Sequence, residues 1–219
     1  MPALPSPAAV ARTLHNLLLM STVSIYAEAS PNPESMKFVL NSTLLPDGVS
    51  VDYPNVEAAL NSPIAQELFG FDYVGRVFIA QNFVTITKTQ PELGWTSIIP
   101  ELRQFIKSYV EAGGQLFLVD PAAEQKAAQA ASAGDPTQQD GFTSQKIIDL
   151  LDNYVRPAVE QDGGNITFKS FHDGIVTVNL QGSCSGCPSA TVTLKSGIEN
   201  LLKRMVPEVQ SVVAEGILV

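Results

Sequence analysis

Gly182-Ser183-Cys184-Ser185-Gly186-Cys187-Pro188 holds both cysteines of a 219-residue chain, and its flanks say what surrounds them. Residues 175–180 alternate apolar and polar side chains and read as a strand, while residues 189–206 read as a helix with Pro188 near its first turn. The cysteine pair therefore falls where a strand hands over to a helix N-terminus. Unpaired N–H groups and the positive end of the helix dipole both favour thiolate over thiol at such a junction. Gly182 and Gly186 carry no side chain, so the backbone can come close to whatever the sulfurs hold. Two soft ligands on a tight turn suit a metal, an iron–sulfur cluster or a reversible disulfide.

Around this turn, residues 142–219 form one unit. Thr143-Ser144 is placed to cap a helix whose apolar positions Ile147, Ile148, Leu151, Tyr154 and Val155 repeat at helical spacing. Pro157 kinks that helix or marks its last turns. Residues 166–171 and 175–180 read as two strands joined by His172-Asp173-Gly174, a hairpin signal, and a final strand is expected over 209–214. The order is α-β-β-α-β.

Upstream, residues 120–141 are built from Ala, Gln, Asp, Ser, Gly and Pro with little else and, having nothing to bury, read as a flexible linker. Residues 21–119 give a strand near 23–27, a bend at Ser30-Pro31-Asn32-Pro33, an apolar segment over 36–40 and a turn at Pro46-Asp47-Gly48. Asn61-Ser62-Pro63 then caps a short helix over 64–69. Strands over 73–80 and 83–88 follow, and a helix over 95–110 carries Ile98, Leu102, Phe105, Ile106 and Tyr109 on one side. The order β-β-α-β-β-α describes a layer with helices on one face. The expected fold class is therefore α+β, as two small domains joined by the linker. Residues 1–20 read as a disordered extension, with a start at Met20 or a transit peptide as alternatives.

The formal net charge of −9 divides as −4 over 1–119, −3 over 120–141 and −2 over 142–219. No segment has the basic patch that nucleic acid requires. The run Leu17-Leu18-Leu19-Met20 is too short to cross a membrane. Two cysteines do not make a secreted disulfide scaffold, so a reducing compartment is expected: bacterial cytoplasm first, mitochondrial matrix as the alternative.

Four chemistries compete for Cys184 and Cys187. A thioredoxin-like dithiol shares the Cys-x-x-Cys, but here the preceding strand is a hairpin arm and only 32 residues follow Cys187. A closed zinc site needs four ligands, and beyond the cysteines the chain offers only His15 and His172. An iron–sulfur cluster normally takes four thiolates, so two chains must each give both cysteines. Two inert buried cysteines are the remaining reading.

The residues also carry a resemblance. Asp162-Gly163-Gly164-Asn165-Ile166, then residues 178–189 with the cysteine turn, then Leu194-Lys195 and Ile198-Glu199, resemble the NifU-like C-terminal (Nfu) domain. Residues 21–116 resemble the N-terminal Nfu domain, notably at Ser30-Pro31-Asn32-Pro33 with Met36-Lys37-Phe38, and at Gly75-Arg76-Val77-Phe78-Ile79 with residues 83–88. The resemblance implies a non-enzymatic iron–sulfur scaffold or carrier. It implies a [4Fe–4S] cluster, with [2Fe–2S] as the alternative, held by Cys184 and Cys187 of two subunits. It implies a homodimer when loaded, with apo client proteins and upstream assembly proteins as partners. A dithiol oxidoreductase and a zinc-bridged structural dimer are the rival functions. In the N-terminal half no ligand residue is expected, and the long linker leaves the placement of the two halves open.

Overall fold

The computed structural model describes the backbone of residues 22–132, 138–185 and 188–215, with side chains throughout except at 127–132, 138–140, 185 and 188–191. The N-terminal extension with His15, and the pair Gly186-Cys187, lie outside the described residues.

Five strands form the N-terminal sheet: β1 (Ile25–Ala29), β2 (Ser35–Leu40), β3 (Val51–Tyr53), β4 (Val74–Ala80) and β5 (Phe83–Lys88). Their order is β1-β2-β5-β4-β3, and every pairing is antiparallel. Alternation along each strand separates two faces. Met36, Phe38 and Leu40 of β2 and Val84 and Ile86 of β5 turn to one side. There they meet Ile64 and Leu68 of α1 (Pro63–Leu68) and Ile98, Leu102 and Ile106 of α2 (Trp95–Glu111). Ser62 caps α1, its Oγ accepting from the Ala65 N–H at 3.4 Å while donating to the Leu116 carbonyl at 2.8 Å. Helices do lie on one face, as the pattern predicts. Strand β3 is an addition to the expected order: three residues are too few to show a period of two.

The segment expected as a linker is helical over α3 (Pro121–Ser132). Its lack of large apolar groups suggested a chain with nothing to bury. Ala, Gln, Glu and Lys are nevertheless strong helix formers, Pro121 suits a first helical position, and Asp120 Oδ1 accepts from the Ala122 N–H at 3.0 Å. Gln125 adds an anchor by donating to the Ser50 carbonyl. The next helix, α4 (Gln138–Leu150), starts ahead of Thr143, so that residue lies within the helix rather than capping it. Pro157 has the expected effect. A single wide turn, Leu151–Val155, in which the Arg156 N–H reaches back to the Leu151 carbonyl, precedes α5 (Arg156–Gln161). Widening frees the ladder where the proline has no N–H to give.

In the C-terminal half β6 (Gly164–His172) and β7 (Ile175–Gly182) form an antiparallel hairpin. Asp173 and Gly174 have φ of 49° and 78°, the left-handed pair that a two-residue hairpin turn uses. Helix α6 (Pro188–Met205) then crosses over to β8 (Ser211–Glu215), which pairs with β7 in parallel. Ile147, Leu151 and Val159 close one core with Ile166, Val178, Leu180, Ile198 and Leu202. The described parts of both halves thus have the α+β character that the sequence predicts.

The two halves dock. The second face of the N-terminal sheet, with Val39, Phe78, Ala80 and Phe83 as its apolar patch, is not left to solvent. Lys37 Nζ donates to the carbonyls of Glu160 and Gln161 at 2.9 and 3.3 Å, and Asn165 Nδ2 donates to Ser50 Oγ at 2.8 Å. Both faces of β2 are covered, and all six of its residues are buried.

Candidate functional site: the cysteine turn

Strand β7 leaves the sheet at Gly182, whose φ of +68° only glycine adopts at little cost. Gly182 pairs with Gly164 at the open end of the hairpin, so the Asp162-Gly163-Gly164 turn lies beside the cysteine turn. Two bonds tie them: the Ser183 N–H donates to the Gly163 carbonyl at 3.3 Å, and Ser183 Oγ to the Asp162 carbonyl at 2.6 Å. Cys184 follows in a single 3₁₀ turn, Ser183–Ser185. Its side chain is 7% exposed and joins the C-terminal core.

Gly164 is the wall against which the sulfur rests. A Cβ at that position would lie 3.0 Å from Cys184 Sγ and 2.5 Å from the Gln181 carbonyl oxygen, so any side chain there would push the thiol out of place. Ser183 Oγ lies 3.8 Å from the same sulfur. In front of Cys184 is a small cavity of about 40 Å³ lined by Pro31, Asn32, Asp162, Ser183 and Leu194 as well as the cysteine itself. Burial raises the Asp162 carboxyl above its ordinary range, against the pull of Lys37.

The sequence places Cys184 between a strand end and a helix start, and the structure does the same. Cys187, its expected co-ligand, lies outside the described residues. His172 is at the far end of the hairpin, paired with Ile175 while Gly182 pairs with Gly164, so it does not join Cys184. Among the described residues no three of His, Cys, Asp and Glu gather as a metal site.

Sequence reasoning missed the contribution of the N-terminal half. Asn32 Nδ2 donates to the Ser183 carbonyl at 3.2 Å, and the Gly182 N–H donates to Asp52 Oδ2 at 3.4 Å. Asp52 is itself gripped by Arg76, with Nε and Nη2 at 2.8 and 2.6 Å from its two oxygens. Ser50 Oγ donates to Gln181 Oε1 at 3.3 Å. Asn32 reads locally as a bend residue between two prolines, and Asp52 as one acid in a short strand. Nothing in their own neighbourhoods points across more than a hundred residues.

The sequence matches the NifU-like domain over residues 147–213 and the N-terminal domain of the Nfu/NifU scaffold proteins over residues 25–113. It is 35% identical over 212 residues to a human protein named NFU1 iron-sulfur cluster scaffold homolog, mitochondrial, covering 96% of this chain and 77% of that one. The chain belongs to the Nfu/NifU-like family. NifU-like protein 4, mitochondrial, of Arabidopsis thaliana is 40% identical over 198 residues, or 89% of this Nfu-type chain and 66% of that relative. This chain therefore spans between about two thirds and three quarters of the length of these two relatives. Among solved structures, the solution structure of a NifU-like protein from Saccharomyces cerevisiae aligns with a TM-score of 0.39 at 24% identity, over 44% of this chain and 85% of that one.

Proposed function

We propose that this Nfu-type chain is a non-enzymatic carrier that accepts an iron–sulfur cluster as cargo and passes it to apo-proteins. The carrying observation is the setting of Cys184, a thiol at a strand-to-helix turn held against a side-chain-free wall at Gly164. A turn of this kind exposes backbone, not bulky side chains, to whatever the sulfurs hold. The names of the relatives agree: the human protein is called an iron-sulfur cluster scaffold homolog.

Cluster type and sharing follow from ligand number. A [4Fe–4S] cluster normally takes four thiolates, and the chain has two cysteines, so Cys184 and Cys187 of two subunits complete the set. A cluster on a two-fold axis is held by few contacts and is reached easily by incoming client thiolates, which displace the carrier ligands one at a time. The domain boundaries proposed are 21–119 and 142–219, with the cluster-binding part in the second. Relatives named as mitochondrial favour the mitochondrial matrix over the bacterial cytoplasm expected from composition.

The test is anaerobic reconstitution with iron and sulfide, followed by size-exclusion chromatography and counting of both per chain. About two irons and two sulfides per chain in a dimer are expected for one shared four-iron cluster. Cys184→Ala and Cys187→Ala should each abolish stable loading while leaving the far-UV circular dichroism unchanged. A variant that keeps a full cluster overturns the assignment. Uptake of no iron, with cycling between dithiol and disulfide, makes the chain an oxidoreductase instead.

A further inference from the structure

The second face of the N-terminal sheet has a use beyond the carrier reading, although the inference rests on that reading for its purpose. We propose that this face is an intramolecular seat for the cysteine turn: it covers Cys184 in the cluster-free chain and has to release it before a cluster binds.

Three observations carry this. The first is the bonding. Backbone groups of the turn itself, the Gly182 N–H and the Ser183 carbonyl, are engaged by Asp52 and Asn32 of the N-terminal half. Lys37 fastens the neighbouring α5 terminus through two carbonyls, of Glu160 and Gln161. The second is fit. A Cβ on Gly182 would lie 3.0 Å from Phe78 Cδ1, and one on Gly163 would lie 2.9 Å from Thr85 Oγ1. Both glycines of the turn region thus lie flat on the sheet. The third is volume. Pro31 and Asn32 of the bend line, together with Cys184, a cavity of only about 40 Å³. That holds about three waters, at roughly 10–15 Å³ each on this measure, and a cube of four irons and four sulfides is far larger. A cluster entering from this side would have to displace the bend.

The seat is built to be left. Its bonds join neutral amides and hydroxyls to backbone or to one another, with Lys37 and Asp52 as the charged members, and such contacts each contribute modestly and exchange with water. Its apolar patch is four residues, Val39, Phe78, Ala80 and Phe83. This resembles a transient interface more than a shared core.

Asn32→Asp is the sharpest probe. Asn32 Oδ1 accepts from the Glu34 N–H at 3.0 Å, which a carboxylate still does, but Nδ2, the donor to the Ser183 carbonyl, becomes an oxygen facing an oxygen. Lys37→Met, which removes both bonds to α5, is an independent second variant. Iron-free full-length chain is pulsed with iodoacetamide and modification at Cys184 is read by peptide mass spectrometry, against the same chain in urea. Hydrogen exchange of the β5 amides is followed in parallel. Wild-type Cys184 should react at least tenfold more slowly than in urea. Asn32→Asp should speed it on the order of fivefold, the factor of one lost hydrogen bond, and Lys37→Met, which loses two, by at least as much, with β5 still protected. Unchanged rates in both variants would mean that the C-terminal core alone shields the thiol, and would overturn the seat. Faster reaction accompanied by loss of β5 protection in both variants also overturns it, because the contact would then not open separately from the fold. No iron is used, so the outcome is independent of whether the chain carries clusters.

Discussion

Gly182 is where the backbone geometry of the site can be tested most directly. In Gly182→Ala the new methyl must be carried at a φ of +68°, which costs an L-residue roughly 1–2 kcal/mol. It would also lie 2.7 Å from the Gly163 carbonyl oxygen and 2.9 Å from Gly164 Cα, both backbone atoms that cannot swing aside. Relief requires the two turns to part, and forced overpacking of this kind adds about 1–3 kcal/mol. The expected loss is therefore about 2–5 kcal/mol, read as the shift of the urea midpoint multiplied by the slope. Gly197→Ala is the paired control. Gly197 lies within α6, has nothing within 4 Å of its would-be Cβ and keeps an ordinary helical backbone. Alanine there should stabilise by about 0.5–1 kcal/mol through helix propensity alone. Two glycines fifteen positions apart should thus respond with opposite sign. Gly182→Ala within about 0.5 kcal/mol of wild type, the usual scatter for surface changes, would refute the reasoning.

Removing Asp52 should be expensive. Its carboxylate and the Arg76 guanidinium are 8% and 12% exposed, and Asp52→Ala leaves the cation buried without its partner, at about 3 kcal/mol in chemical denaturation. Asp52→Ala combined with Arg76→Met should recover much of that loss. Ser62→Ala removes the cap of α1 and the bond to Leu116 together, and a loss of about 1–2 kcal/mol is expected by thermal or urea unfolding. Glu160 gives a pH signature. Burial raises its carboxyl above the ordinary value, with Asp47 adding to the shift and Arg156 and Lys37 opposing it. The folded chain therefore binds that proton before the unfolded chain does, so this group makes stability rise as pH falls through the raised value. Glu160→Gln should stabilise the chain at neutral pH and flatten the pH slope just above the ordinary carboxylate range. An unchanged slope would contradict the assignment.

Much of the C-terminal half was legible because its signals are local. Asp173-Gly174 announces its own hairpin, Pro157 its own irregular turn, and Gly182-Ser183-Cys184 its place between strand and helix. The segment at 120–141 was harder, because low hydrophobicity argues for a mobile chain while Ala and Gln argue for helix, and over Pro121–Ser132 propensity wins. The second face of the N-terminal sheet was harder still. Phe83, Thr85 and Thr87 alternate with Val84, Ile86 and Lys88, which shows that β5 has two faces but not that Thr85 would be 1% exposed beneath another part of the chain. Burial of that face is a property of a long-range docking, and no period in the sequence encodes it.

In the proposed carrier, docking and loading compete for one thiol, and that competition constrains both. If a seated Cys184 cannot bind a cluster and each cluster takes two chains, the apparent affinity for the cluster is the intrinsic affinity scaled by the square of the unseated fraction. Any substitution that weakens the seat without touching the turn must then strengthen loading by the square of the factor through which it unseats each chain. Reciprocity requires the converse: a bound cluster must hold the turn unseated. Because a shared cluster needs Cys184 of two chains, Asn32→Asp should load more tightly than wild type by the square of the ratio that alkylation of the iron-free chain reports. The two ratios are measured on different states with different probes, so the square relation between them is not built in. Faster alkylation with unchanged loading would separate the cover over Cys184 from the route by which a cluster arrives.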